Sequence, residues 1–376
     1  MYWIYRLYLQ KLQMNTIYHA AVLTTLECGG VRTVVVDLDK YLSDKTDLKS
    51  VILTNEKEAT DPFIQFKSEK YRFWNYAPGM TDYINAHKSD ISVFHLHGVF
   101  MHAQYTCSRL AQRESIPYIV TPHGMLEPWH MRDKGLKKWV YMQVVLRELL
   151  QKSTLLHAIT PLERDNLFAM TGHKNIVQIP NLMHLSSIPE NLTHQPEEDY
   201  LLFLGRLHPK KGLDLMIKSL SKIDNKSIKV KVVGQESEHS IEMQQLAKSL
   251  GIAHRVEFLG SVYGAEKFRL YANARAFIAP SYSEAIGMVN LEAAVCKTPV
   301  VTTFETGIDP RWNENGGIMI HPTEPELTAA LNQLMMWTAS ERRDRGAALS
   351  NFVADNYSWE RKGHLWNDLY HSLLAT

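Results

Sequence analysis

Ala276-Phe-Ile-Ala-Pro280-Ser-Tyr-Ser-Glu284-Ala-Ile-Gly287-Met288-Val289-Asn-Leu-Glu292-Ala-Ala-Val-Cys-Lys297-Thr-Pro-Val300 reads in order as a strand, a turn and a helix. The apolar run ends at Pro280, and the polar residues Ser281 to Ser283 break it. Gly287 permits close backbone approach, and a helix is expected from Met288 to near Lys297. Glu284 then lies in a loop at the positive end of that helix. Glu292 leans back toward the same end, because helical side chains tilt N-terminally. With about 1.5 Å of rise per helical residue, the two carboxylates lie roughly 8–12 Å apart. Such a pair can grip two hydroxyl-rich ends of one ligand, with an anion between them on the free N–H groups of the helix start. A sugar, a diphosphate and a ribose, joined in that order, have this layout.

The same alternation runs outward from this stretch. A strand is expected at 300–302 and a helix at 325–336. Upstream, strands at 200–204, 229–233 and 256–258 alternate with helices at 213–220, 241–250 and 265–272. Before them come strands at 17–23, 51–54, 91–96, 118–121, 155–159 and 176–179, and a helix at 31–42. A further helix opens at Thr160-Pro-Leu-Glu163, a capping box with proline at the first helical position. Strands alternating with helices predict an α/β protein, with two doubly wound, Rossmann-like parallel-sheet domains facing a cleft. The boundaries are 14–181 for the first domain, 182–199 for a linker without Lys or Arg, and 200–355 for the second. A terminal segment, 356–376, opens its helix at Tyr357-Ser-Trp359.

Among 376 residues, 45% are hydrophobic and 22% charged, ample for two cores. A net charge of +1 removes any global case for nucleic acid. The charge is unevenly spread: residues 1–180 carry 21 Lys+Arg against 17 Asp+Glu, and residues 181–376 carry 20 against 23. Cys28, Cys107 and Cys296 are far apart and form no CxxC, which points to a reducing compartment and away from disulfides or zinc. No run reaches the roughly 18 apolar residues that span a bilayer. In residues 1–13, Arg6, Gln10 and Gln13 share one helical face beside many aromatic residues. That segment reads either as an interfacial membrane helix or as an upstream start, with Met14 as the true one.

Gly205-Arg206-Leu-His-Pro-Lys-Lys211-Gly212 leaves a strand, turns and enters a helix. Ligands bind at such carboxyl ends of parallel strands, and two cations there suit a diphosphate. Gly29-Gly30 offers a side-chain-free approach to phosphate before a helix start, but is not the G-x-G-x-x-G fingerprint. His95-Leu-His97-Gly98 and His123-Gly124 each close a strand. His95 and His97 share a strand face without a sulfur or acidic neighbour, so buried, hydrogen-bonded histidines are expected rather than a metal. His123, beside a loop, is the candidate for touching a substrate hydroxyl. His130 to Lys152 holds six Lys+Arg against two Asp+Glu among aromatic and aliphatic residues, which suits either a solvated helix or docking to an anionic membrane. Asp37-Leu-Asp39 falls inside a helix and not at a strand end, so no metal-held diphosphate is expected.

Together these residues resemble retaining glycosyltransferases of family 4, with the GT-B fold. The resemblance rests on Gly29-Gly30, His123-Gly124, Ile179-Pro-Asn181, Gly205-Arg206 with Lys211-Gly212, Val232-Val-Gly234, Phe258-Leu-Gly260 and the pair Glu284/Glu292. It extends over nearly everything from Met14 onward. It implies that Arg206 and Lys211 bind the donor diphosphate, Glu292 the ribose, and Glu284 the donor sugar. The backbone at Gly287, Met288 and Val289 would lie beside the phosphates, with Gly29, Gly30 and Gly205 in donor-side loops and His123 against the transferred sugar. The last helix would cross back to the first domain. The implied reaction moves a hexose or N-acetylhexosamine from a UDP- or GDP-type sugar with retention, needing no cofactor and no metal. His123-Gly-Met-Leu-Glu-Pro-Trp129 looks like members that build bacterial surface polysaccharides on a lipid-linked saccharide acceptor. Those act in the cytoplasm, peripherally on the inner face of the plasma membrane. Where the family often has Glu-Gly-Phe-Gly, this chain has Glu284-Ala-Ile-Gly287, which alters the sugar pocket and not the reaction class. Other readings on such a scaffold are a nucleotide-sugar 2-epimerase, a phosphorylase and a nucleotide-sugar-binding protein without turnover.

Overall fold

The fold is that of a computed structural model, which describes residues 15–22, 30–55, 62–69, 74–127, 141–189, 192 and 199–375. It divides into two compact units, Met1–Leu182 with Gly363–Thr376, and Met183–Lys362.

In the first unit, strands β1 (Thr16–Ala21), β2 (Lys49–Thr54), β3 (Phe63–Gln65), β4 (Val93–His97), β5 (Tyr118–Thr121), β6 (Leu155–Ala158) and β7 (Ile176–Gln178) form one sheet. Their order is β3-β2-β1-β4-β5-β6-β7, every pair parallel. Helices α1 (Gly30–Lys45), α2 (Pro78–Ala86), α3 (His102–Glu114) and α4 (Pro161–Thr171) connect them. The order in which strands are laid along the sheet reverses between β1 and β4, the switch point of a doubly wound fold.

The two faces of this sheet differ in chemistry. Tyr18, Phe94, Leu96, Val120 and Leu156 join one apolar core with Leu110, Leu149 and Leu150. The register sets His19 beside His95 and Thr121 beside His97, so the opposite face carries a buried polar stripe. Period-2 alternation in β4, Phe94 and Leu96 against His95 and His97, separates the two.

In the second unit, β8 (Tyr200–Leu204), β9 (Lys229–Val233), β10 (Val256–Gly260), β11 (Ala276–Ala279), β12 (Val300–Thr303) and β13 (Ile318–Ile320) are ordered β10-β9-β8-β11-β12-β13, again all parallel. Helices α5 (Leu213–Lys222), α6 (Glu238–Ser249), α7 (Gly264–Asn273), α8 (Met288–Val295), α9 (Glu324–Met336) and α10 (Ala339–Tyr357) accompany them. The core is continuous from Leu201 and Phe203 through Leu213, Ile217, Val230 and Ile278 to Leu331. Here the switch point lies between β8 and β11.

The fold is the expected pair of Rossmann-like parallel sheets. Strands β3 and β13 are additions, each three residues long and too short to show a period. The terminal helix is broken: Ser358 is extended, Trp359–Lys362 is a single turn, and α11 (His364–Leu374) follows. Residues 356–362 belong to the second unit and α11 to the first. Residues 1–13, Gly29, most of the 182–199 linker beyond 189, and 130–140 of the basic segment lie outside the described residues. Its remainder is a π-helical turn, Met142–Leu146, running into Arg147–Gln151.

Candidate functional site

The turns that follow β8 and β11 lie side by side in the second unit, because those strands are neighbours. Tyr282 donates its backbone N–H to the Lys210 carbonyl at 2.8 Å, lacing the two turns together. Gly212 makes this approach feasible: it sits at φ +72°, and a Cβ there would stand 2.1 Å from the Pro280 carbonyl oxygen. Lys211 reaches across and forms an ion pair with Glu284, both side chains being about 15% exposed. Arg206, on the same turn, is exposed and has no ion-pair partner among the described residues. Gly205 follows β8 at φ +153°, the departure point of the turn. Burial lowers the pKa of His208, and Lys210 and Arg206 lower it further, as expected where cations gather.

Helix α8 starts at this place. Gly287 is its N-cap, and a Cβ there would come within 2.6 Å of the Asn290 side-chain amide. Asn290 is buried, and its N–H bonds to the Gly287 carbonyl at 2.8 Å. Met288 and Val289 open the helix, where N–H groups have no intrahelical acceptor. One turn on, Glu292 accepts from Lys267 Nζ at 2.8 Å and from Tyr271 Oη at 3.1 Å. Burial, then Glu292, raises the Tyr271 pKa far above its ordinary value, so the phenol stays protonated as a donor. Lys267 and Tyr271 were not among the residues expected at the site. Their i, i+4 spacing on α7 was the available signal.

The first unit contributes two imidazole chains on the polar face of its sheet. In one, Tyr370 Oη lies 2.7 Å from His95 Nδ1, His95 Nε2 lies 2.7 Å from Thr121 Oγ1, and Thr121 Oγ1 lies 2.9 Å from His157 Nδ1. His157 Nε2 ends that chain at the Ile179 carbonyl, 2.8 Å away. A carbonyl can only accept, so every proton in the chain points from Tyr370 toward Ile179. In the other, His19 Nδ1 lies 3.0 Å from His97 Nε2, and His97 Nδ1 lies 3.0 Å from His123 Nε2. Burial lowers the pKa of His19 and His123 to about 3 and of His157 to about 4. It also holds His95 and His97 well below the imidazole range, with the neighbouring histidines adding to the effect.

His123 adopts φ +54°, unusual for a residue with a Cβ. Its turn is held by Glu163, a buried carboxylate that accepts from Gly124 N–H at 2.7 Å and Ile159 N–H at 2.8 Å. The expected capping box is therefore half formed. Thr160 Oγ1 caps the Glu163 N–H at 3.0 Å, while Glu163 turns away to serve the His123 loop. Gly30 opens α1 with open space around a Cβ position. Asp37 and Asp39 lie within α1 as expected.

Among the described residues, the histidines His19, His95 and His97 bring their ring nitrogens within 4.8 Å of one another. Both nitrogens of His95 are already taken by Tyr370 and Thr121, so the set does not offer three free lone pairs.

Two family descriptions match the chain. Residues 58–181 match a glycosyl transferase 4-like domain, and residues 186–346 match glycosyl transferases group 1. An uncharacterized glycosyltransferase of Methanocaldococcus jannaschii is 33% identical over 169 residues, 44% of this chain and 43% of that protein. A D-inositol 3-phosphate glycosyltransferase of Mycobacterium marinum is 30% identical over 175 residues, 44% of this chain and 36% of that protein. The chain thus spans less than half the length of these curated relatives. A sucrose-phosphate synthase from Thermosynechococcus elongatus shares the fold at TM-score 0.82 and 18% identity, over 96% of this chain and 99% of that one. HepE of Anabaena, solved with UDP-glucose, aligns at TM-score 0.77 and 16% identity, over 95% and 99%. WaaG, a glycosyltransferase involved in lipopolysaccharide biosynthesis, aligns at TM-score 0.67 and 16% identity, over 91% and 96%. The two matched regions follow one another along a GT-B fold, so the chain carries a glycosyl transferase 4-like domain followed by a glycosyl transferases group 1 domain.

Proposed function

We propose that the protein is a retaining glycosyltransferase that moves a hexose or N-acetylhexosamine from a UDP- or GDP-type sugar to a hydroxyl of a lipid-linked saccharide. The observation that carries this reading is the second unit's switch point, where Arg206, Lys211, Glu284 and the start of α8 meet. Arg206 and Lys211 take the diphosphate charge, assisted by the N–H groups of Met288 and Val289. Lys211 held against Glu284 is a cation already positioned beside the sugar's carboxylate contact. Glu292, oriented by Lys267 and Tyr271, receives the ribose hydroxyls. His123 meets a hydroxyl of the transferred sugar. Gly205 and Gly30, with Gly29, keep side chains out of the donor loops.

Cations and a helix start neutralise the negative charge that builds on the departing nucleoside diphosphate, so the reaction runs without a metal. Turnover is expected to survive EDTA, and a strict Mg²⁺ requirement measured in the same assay would contradict it. The UDP-glucose complex of HepE supports a nucleotide-sugar donor, and the lipopolysaccharide role of WaaG supports a lipid-linked acceptor in surface polysaccharide synthesis. The inositol phosphate relative makes a small phosphorylated acceptor the second arm of an acceptor screen. Work on a lipid-linked acceptor places the protein in the cytoplasm, peripherally on the inner face of the plasma membrane. Among the described residues no helix is long and apolar enough to cross a membrane.

The test is a thermal-shift screen against UDP-, GDP-, ADP- and dTDP-sugars, since a ligand that binds the native state raises its unfolding temperature. A UDP- or GDP-sugar is expected to raise it and to be consumed with retained anomeric configuration. No shift with any donor overturns the reading. A shift without turnover converts it to a binding protein.

A further inference from the structure

The chain His19–His97–His123 has an end that fixes its direction. Each N···N contact is 3.0 Å, so each needs one N–H and one lone pair. Burial lowers the pKa of all three rings far below the ordinary imidazole value and so keeps them neutral. Two proton arrangements satisfy both contacts, and they run in opposite directions. They differ at His19 Nε2, which is buried and has no hydrogen-bond partner among the described residues. If the protons ran from His123 toward His19, that atom would be an N–H sealed away from any acceptor. Apart from His97, which is bonded at His19 Nδ1, the aromatic neighbours His95, with its centroid 5.4 Å away, and Tyr370 at 6.3 Å are too distant for an N–H to reach their faces. If the protons run the other way, the atom is a bare lone pair. An orphaned buried N–H is the rarer case, and the lone pair is the one the fold tolerates.

We infer that His19 and His97 are positioning residues that fix the proton of His123 on Nδ1, so that this half-buried ring turns a hydrogen-bond donor outward. His19 donates from Nδ1 to His97 Nε2, His97 donates from Nδ1 to His123 Nε2, and His123 Nδ1–H is left for a substrate oxygen. All three rings then carry the Nδ1–H tautomer, the less populated form of a free histidine. His95 and His157, tied to the Ile179 carbonyl, carry Nε2–H instead. The sheet thus holds two imidazole chains with opposite tautomers on one face. That the outward N–H meets a sugar hydroxyl rests on the transferase reading; where the proton sits does not.

The test is long-range ¹H–¹⁵N correlation of the histidine rings in the ¹⁵N-labelled full chain, which separates protonated from bare ring nitrogens. The His123 signals are assigned by their loss in His123→Gln. Nδ1–H at His19, His97 and His123, with Nε2–H at His95 and His157, is the expected pattern. Nε2–H at His123 in the unaltered protein overturns the inference, whatever the enzyme does. In His97→Phe the His123 ring loses its donor and should move to Nε2–H. In His97→Asn, whose amide can donate from the same place, it should keep Nδ1–H. With an active donor in hand, kcat of His97→Phe should fall about tenfold to a hundredfold at little change in KM, as for loss of a transition-state hydrogen bond. His97→Asn should recover part of it. A His123 tautomer that ignores both substitutions would also overturn the inference.

Discussion

Both sheets reverse their strand order once, between β1 and β4 in the first unit and between β8 and β11 in the second, yet the two units furnish these places differently. Beside the first reversal lie neutral imidazoles buried in chains, where the information is the direction of each hydrogen bond. At the second lie ions on partly exposed turns, where the information is the position of charge. Hydrogen-bond direction in a dry interior is insensitive to salt but fails when a ring gains a proton. A surface cation cluster tolerates acid but weakens with ionic strength. Each unit should therefore have its own mode of failure.

The largest expected effect is on chemistry at the ionic site. Lys211→Ala removes a diphosphate cation and leaves Glu284 without its partner, and turnover should fall about a hundredfold or more. A rate near that of the unaltered protein, measured at saturating donor, would remove Lys211 from the site. Acid should break the comparison from the other side. Folded His19 and His123 titrate near 3 and His157 near 4, against about 6.5 in an unfolded chain. Above pH 6.5 both states are neutral and the histidines are silent. As the pH falls below 6.5, the unfolded chain takes up protons that the folded one refuses. Stability then drops by about 1.4 kcal/mol per pH unit for each such group, until the folded values near 3–4 are reached. Hydrogen exchange at pH 7.5 and 5.0 should show β1, β4 and β5 opening ahead of β8, β9 and β11. Equal loss in the two units would show that the histidines are not the weak point.

Gly212→Ala sharpens the claim that the basic turn is pressed against β11. The added methyl must push the Pro280 carbonyl away at a positive φ, costing about 1–3 kcal/mol in urea unfolding. An unchanged midpoint would mean that the two turns separate freely. Tyr370→Phe is the smallest. It removes the O–H given to His95 Nδ1, leaves a buried acceptor bare, and should cost about 1–2 kcal/mol. No loss would mean that the chain from Tyr370 to Ile179 is not held at that end.

Much of the second unit was legible before folding. The strand at 200–204 is an apolar run and that at 229–233 alternates Lys with Val before a second Val, and both appear with those limits. Arg206, Lys211 and Glu284 could be grouped because each follows a strand, and neighbouring parallel strands bring their exits together. The Lys211–Glu284 pairing was not legible, since it depends on how closely Gly212 meets Pro280. Nor were Lys267 and Tyr271, which look like ordinary members of an amphipathic helix. In the first unit, His95 and His97 were expected to be buried and hydrogen-bonded, which they are. Their partners lie 78 residues away at His19 and 275 away at Tyr370. Strand register decides such contacts, and a single strand's alternation does not encode its neighbour.

The placement of α11 has a consequence for how the molecule is made. Tyr370 and Trp366, which complete the cover over His95 and His157, follow the whole second unit in the chain. The nascent first unit must hold its polar stripe open until all of Met183–Lys362 has been translated, and its interior is sealed only once α11 follows.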